Sequence, residues 1–251
     1  MIAGMVIQIS AALRRRAAVN GAQPLITFYD IGSGERTELS AISFRNWVDK
    51  TANLLVDEYA LEAGDSVELP LATEAPGHWV TFVWAMACWQ VGATADVRSA
   101  ADPTAKLRVL GPDQTATLIT ADPLSADDVE LVCCSLHPLG LGFPTPLPRP
   151  LVDYSLEVRS QPDSFPSIPV DHHAIAWRDN QQQLSQADLA RIDAGAPRQR
   201  SLVIPSDPWS SVRDGLLTPL LRDGSAVVVA GEDPNRLDRI IASERVDPAR
   251  G

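Results

Sequence analysis

Lysine is nearly missing from this sequence: of 251 residues only Lys50 and Lys106 carry an ammonium group. Any chemistry that grips a phosphate or forms a Schiff base through lysine therefore has two candidates. Cysteine is almost as scarce, with Cys88, Cys133 and Cys134 and no Cys-x-x-Cys spacing. An odd count without paired spacing excludes a disulfide framework and a cysteine zinc site, and points to a reducing setting. Cys88 lies among Trp84, Met86 and Trp89, the context of a buried apolar thiol, and Cys133-Cys134 closes an apolar run that reads as a buried strand. No stretch approaches the ~18 uninterrupted apolar residues of a membrane span. Basic charge is short as well: 21 Lys and Arg face 32 Asp and Glu, a formal net charge of −11. Such a field repels phosphodiester backbones, so neither a nucleic acid nor a membrane surface is expected as a partner. The densest basic run, Arg14-Arg15-Arg16, reads as a solvated helix end. Residues 1–10 are apolar but precede these arginines, the reverse of a secretory signal, so a short first helix and a cytoplasmic location are expected. Gly140-Leu-Gly142 lacks the third glycine of a dinucleotide fingerprint, and no Gly-x-Ser-x-Gly elbow occurs.

What is present is ordinary globular composition, 45% hydrophobic and 21% charged. A chain of this length buries roughly 70–75% of its unfolded surface and needs no covalent staple. Strands are expected at 24–30, 36–39, 66–71, 93–97, 116–120 and 129–132, with a short one near 154–159. Helices are expected at 40–59, capped by Ser40, at 76–90 and at 103–110. Eight prolines between Pro138 and Pro169 interrupt this alternation. Beyond them Ser185 caps a helix at 186–194, then come a strand at 201–204, a helix at 212–221, a strand at 226–230 and a helix at 234–244. Alternation with short connections predicts a three-layer α/β/α architecture on a mostly parallel sheet. The proline-rich stretch suggests three parts: a first α/β subdomain at 1–137, a junction at 138–170 and a partial second α/β subdomain at 171–251.

Four stretches carry a family resemblance. They are Arg36-Thr-Glu-Leu-Ser40 with the helix bearing Thr51-Ala-Asn-Leu-Leu55; Leu61-Glu-Ala-Gly-Asp65-Ser-Val67; Trp79 through Val97, with Gly92-Ala-Thr-Ala-Asp-Val97 after a long helix; and Leu216-Leu-Thr-Pro-Leu-Leu221-Arg-Asp-Gly224-Ser-Ala-Val-Val228. In order and spacing they resemble the amino-terminal part of the adenylate-forming superfamily, which includes acyl-CoA synthetases, peptide-synthetase adenylation domains and luciferases. The resemblance implies an acetyl-CoA synthetase-like N-terminal domain, in truncated form. The arginine- and alanine-rich composition fits a narrower group of short actinobacterial relatives.

The superfamily activates a carboxylate with ATP, using a loop that resembles Ser/Thr-Ser-Gly-Thr-Thr-Gly-x-Pro-Lys. Glycines let backbone N–H groups converge on phosphate oxygens, and the lysine supplies countercharge. By chain order the resemblance places this loop between Tyr154 and Ala176. There the sequence reads Gln161-Pro-Asp-Ser-Phe-Pro-Ser-Ile-Pro-Val-Asp-His-His-Ala174, without glycine or lysine. Asp163, Ser164, Ser167, His172 and His173 thus mark a degenerate phosphate-loop region. The motifs that contact adenine and the lid with its catalytic lysine come later in the family than this sequence extends. Ser206-Asp207-Pro208-Trp209-Ser210 falls where the family's acyl-pocket wall tends to lie, so Asp207, Trp209 and Ser210 are candidate pocket residues. His172-His173 has no third ligand at helical spacing, and Gly231-Glu-Asp-Pro234 reads as a turn. No catalytic residue, metal or cofactor is expected. Three functions follow: a non-catalytic binding or interaction protein; an acyl-adenylate-forming or nucleotide-binding enzyme with atypical phosphate recognition or a partner chain; and a scaffold that self-associates. The partners they imply are a second copy or another protein, and a small acyl or nucleotide ligand.

Overall fold

A computed structural model describes residues 8–121, 129–192 and 198–248. Helix α1 (Ile9–Asn20) leads into strands β1 (Pro24–Asp30) and β2 (Arg36–Ser40). Ser40 accepts a hydrogen bond from the Ser43 N–H at 3.1 Å and starts α2 (Ala41–Asn53), which continues through a π turn, Leu54–Glu58. Then follow β3 (Ser66–Glu68), α3 (Leu71–Glu74), α4 (Trp79–Val91), β4 (Thr94–Asp96), β5 (Leu107–Leu110) and α5 (Pro112–Thr120). After these come β6 (Glu130–Cys133), β7 (Val152–Asp153), α6 (Tyr154–Glu157), β8 (Ile175–Arg178), β9 (Gln183–Ser185) and α7 (Gln186–Ala190). The chain continues with β10 (Arg200–Val203), α8 (Pro208–Val212), a second π turn (Arg213–Leu217), α9 (Thr218–Leu221), β11 (Ser225–Ala230) and α10 (Pro234–Glu244).

The strands form two sheets, ordered β7-β6-β5-β3-β4-β8-β9 and β10-β11-β1-β2. Among the described residues only the two hairpin strands, β9 against β8 and β2 against β1, pair antiparallel. The mostly parallel α/β class expected from the alternation is therefore the architecture found. Strands that follow residue 170 enter both sheets: β8 and β9 extend the larger one, whereas β11 sits between β10 and β1. The two hairpins are built alike. Asp30 and Asp179 each close a turn by accepting the N–H two residues on (2.8 and 2.7 Å), and Ser40 and Ser185 each cap the helix that follows.

Every residue of α4 is buried, including Trp79, Trp84 and Trp89, so this helix is apolar on all sides and fills the core against α1, α2 and β4. Gly92 ends it in the left-handed region (φ 82°), where a side chain would strain the backbone. The three tryptophans are thus core, as their spacing predicts. All three thiols are buried: burial pushes Cys88 up to about 12 and raises Cys133 and Cys134. Thiolates, not thiols, react. An aromatic disulfide reagent is therefore expected to titrate fewer than one thiol per native chain and three after denaturation; rapid native labelling would show an open core.

Three predicted elements are corrected. Residues 116–120 are not a strand but the end of α5. Pro112 begins that helix, the Gln114 side chain accepts the Gly111 N–H, and the Thr115 and Thr117 hydroxyls donate back to carbonyls four residues earlier (2.7 and 2.9 Å). Hydroxyls that bond their own helix overcome β-branching. Residues 103–110 are not a helix: Asp102 turns its carboxylate onto the Thr104 N–H and hydroxyl, and the chain emerges as β5. Near 154–159 the chain forms α6, because Asp153 caps it at the Ser155 N–H (3.0 Å) and the Tyr154 hydroxyl is anchored on Thr51 (2.7 Å). Helix α7 ends at Ala190, and the predicted extension to Ala194 runs into residues 193–197, outside those described. Arg16 is also not solvated: only 4% of it is exposed.

Candidate functional site

In open parallel sheets, ligands bind beyond the carboxyl ends of the strands. Here β4 exits at Val97, β8 exits into the turn 179–182, and β10 exits toward α8. These three exits enclose a cavity of about 440 Å³ whose walls include Val97, Asp179, Asp207, Trp209, Ser210 and Arg213. Asp207, Trp209 and Ser210, singled out in the sequence, therefore do meet. Trp209 leans on Trp177 of β8, with ring centroids 5.4 Å apart. Asp179 and Arg213 were missed. The one signal for Asp179 is an Asp-Asn pair after an apolar strand, a common turn former.

Three backbone donors at this crevice are turned onto its own carboxylates. Asp179 Oδ1 accepts the N–H groups of Gln181 (2.7 Å) and Gln182 (2.9 Å), and its Oδ2 accepts the Trp177 indole N–H (2.8 Å). Asp207 accepts the Ser210 N–H (3.0 Å) and hydroxyl at the start of α8. Burial opposes the charge on Asp179, but these bonds outweigh it and hold the carboxyl below its usual range. The Ser210 hydroxyl and N–H do the same for Asp207. Arg213 is paired with Asp214 at 2.7 Å. The crevice thus presents two fixed anions, with its converging amides folded onto them.

The strands β4 and β8 that lead to the crevice belong to a charged row. Arg108, Glu68, Asp96 and Arg178 stand in one register row across β5, β3, β4 and β8. Arg108 pairs with Glu68. Asp96 receives Arg98 at 2.6 Å and Arg178 at 3.4 Å, and Asp102 lies 3.2 Å from Arg98. Parallel strands in register point such side chains to the same face.

The region 161–174 lies elsewhere and none of it lines the crevice. Lys50 bonds Asp163 at 2.8 Å and the carbonyls of Arg159 and Gln161. Asn53 donates to the carbonyls of Pro162 and Ser164 (2.9 and 3.0 Å), and Arg14 donates to the Ser167 hydroxyl (3.0 Å). The segment offers its carbonyls to α1 and α2, the reverse of an amide cradle. The rings of His172 and His173 lie tilted against each other, centroids 4.1 Å apart, on an exposed turn. Among the described residues, no group of three His, Cys, Asp or Glu gathers as metal ligands. No helix there is long and apolar enough to cross a membrane.

One comparison identifies the family. A "TIGR03089 family protein" of Mycobacterium tuberculosis is 34% identical over 226 residues, covering 89% of both chains. The chain belongs to the TIGR03089 family. No family model matches it. Among solved structures, this TIGR03089 chain superposes on an acyl-CoA synthetase of Brucella canis with a TM-score of 0.75 at 16% identity, covering 97% of this chain and 47% of that one. A fatty acyl-CoA synthetase of Mycobacterium tuberculosis gives 0.64 at 12% identity (95% and 48%), and a coronafacic acid ligase variant of Pectobacterium brasiliense 0.67 at 14% (96% and 49%). The TIGR03089 chain thus has the acyl-CoA synthetase-like fold expected from its motifs, and spans about half the length of these proteins.

Proposed function

We propose that this chain is a non-catalytic binding protein built on the adenylate-forming scaffold. The observation that carries the reading is Asp179, seated on the amides of its own turn. A triphosphate approaching the crevice meets two carboxylates, Asp179 and Asp207, that hold N–H donors to themselves. Losing one preorganised donor costs on the order of 3–4 kcal/mol of transition-state stabilisation. Here the N–H groups of Gln181, Gln182 and Ser210 are held by carboxylates, and like charge faces an incoming phosphate. The Trp209 wall and Val97 still offer an apolar surface for a small ligand, of which an acyl group is the class the scaffold favours.

The test is turnover. Incubation with ATP, magnesium and a panel of carboxylic acids is expected to release no pyrophosphate above the protein-free blank. Release that depends on the carboxylate and is lost in Trp209→Ala would overturn the reading and restore the enzyme in its place.

A further inference from the structure

The smaller sheet has a second hollow at its other end. The amino ends of β1, β10 and β11 surround a cavity of about 490 Å³, lined by Arg16, Gln23, Arg198, Arg200, Asp223 and Ser225. Sequence separation hid this gathering, since Arg16 and Arg200 lie on opposite halves of the chain. In a chain with a net charge of −11, three guanidinium groups here face a single lining carboxylate.

Arg16 is the most unusual of these groups. Only 4% of it is exposed, and its terminal nitrogens donate to the carbonyls of Asn20 (2.9 Å), Pro24 (3.4 Å) and Gly224 (3.4 Å). Its Nε is buried with no partner. Among the described residues Arg16 forms no ion pair, with Asp223 its opposing charge at longer range. A buried charge without a counter-ion is costly, and a carbonyl cage does not neutralise it. Arg200 is balanced differently: it pairs with Glu244 and donates to Thr27 and to the Ser225 hydroxyl (both 3.1 Å). That hydroxyl keeps its own proton free to donate. Arg198 is exposed, its side chain has no partner among the described residues, and it holds a left-handed backbone (φ 57°) opposite Asp223 (φ 55°). The two edges are tied by the Arg198 N–H on the Arg222 carbonyl at 2.7 Å. Non-glycine residues in this region carry strain, which gathers at ligand sites.

We propose that this hollow binds a small tetrahedral oxyanion of the phosphate class, held between Arg16 and Arg198 with the Ser225 hydroxyl as a third donor. The exposed guanidinium fork of Arg198 matches phosphate oxygens, and donors arriving from α1, from the residues before β10 and from β11 suit a tetrahedral ion better than a planar carboxylate. The site is at the opposite end of the sheet from Trp209 and does not rest on the non-catalytic reading.

Calorimetric titration at low ionic strength tests it, with orthophosphate, pyrophosphate, glycerol 2-phosphate and succinate as probes. Saturable binding of the phosphates is expected, about tenfold tighter than succinate. Arg198→Gln should weaken it about tenfold, with Arg198→Lys restoring part of the loss. Asp223→Asn keeps a residue that tolerates the left-handed backbone, and should tighten binding severalfold by removing the repelling charge. Trp209→Ala should leave it unchanged, which separates this site from the crevice. Tighter binding of the ester than of orthophosphate would point to a phosphorylated metabolite, and the reverse to free phosphate; both support the site. Absence of saturation into the millimolar range, succinate binding as tightly as phosphate, or equal affinity in Arg198→Gln would overturn it.

Discussion

Lowering the pH from 7 to 4.5 is expected to cost the fold about 2.5 kcal/mol through His78 alone, because the unfolded chain takes up a proton that the buried imidazole does not. His78 caps α4: its Nδ1 accepts the Val80 N–H at 3.2 Å, and its ring lies 4.7 Å from that of Phe28. Its Nε2 has no hydrogen-bond partner, with Glu35 Oε1 3.9 Å away. Burial pushes its pKa down to about 3, opposed only weakly by Asp30. The unfolded chain then binds a proton near pH 6.5 that the folded chain refuses until about pH 3. Stability is therefore unaffected well above pH 6.5, falls as the pH drops below it, and levels off once both states are protonated. Glu35 acts in the other direction: burial raises its pKa, so the folded state keeps its proton more firmly and recovers some of the loss as it titrates. The depressed carboxyls, Asp30 among them, add their own loss only below the ordinary carboxylate range. In the interval from pH 6.5 to 4.5 the depressed carboxyls are silent, so the loss there is the histidine's, offset in part by the raised carboxyls Glu35 and Asp49. Urea midpoints measured across it should fall steeply in the parent chain and stay nearly flat in His78→Asn, which keeps a capping side chain and removes the titration. An equal slope in both would assign the acid sensitivity to another group.

The protein divides along a physical line between what its sequence discloses and what it hides. Local signals predicted their elements well. Apolar alternation placed β1, Ser40 and Ser185 capped their helices, Gly92 ended α4, and Pro234 opened α10 after Asp233. Where local chemistry competed with pattern, the pattern misled. The threonines of α5 satisfy their hydroxyls inside a helix, and Asp102, which reads as a helix cap, closes a turn instead. The crevice was half visible, because Asp207, Trp209 and Ser210 are neighbours in sequence. Asp179 was not, since its role depends on β8 ending beside β10's exit. The arginine hollow was hidden altogether: its basic groups come from α1 and from β10 with the residues just before it, distant in sequence and brought together by the smaller sheet.

Replacing Asp96 with Ala should lower stability by about 3 kcal/mol, near the lower end for removing one partner of a buried ion pair. For a chain of this size that is a fall in Tm of roughly 6–12 °C. The Asp96 side chain is 2% exposed, and its two oxygens take both Arg98 (3.0 and 2.6 Å) and Arg178 (3.4 Å). Without it, two guanidinium groups face each other with Asp102 as their nearest anion, 3.2 and 3.6 Å away. Both arginines retain some contact with water, 32% and 26% exposed, which keeps the cost from the upper end of the range. Removing Arg178 as well should recover part of the loss, because the second deletion takes away a charge already left without its partner. The consequence reaches the crevice. Asp96 immediately precedes Val97 and Arg178 immediately precedes Asp179, so the pair fixes both walls at their roots. Backbone amides of the 179–182 turn should therefore exchange faster in Asp96→Ala even under conditions where the variant is fully folded. Unchanged exchange in that turn, with a loss below about 1 kcal/mol, would reduce the charged row to an exposed ion pair of the ordinary weak kind.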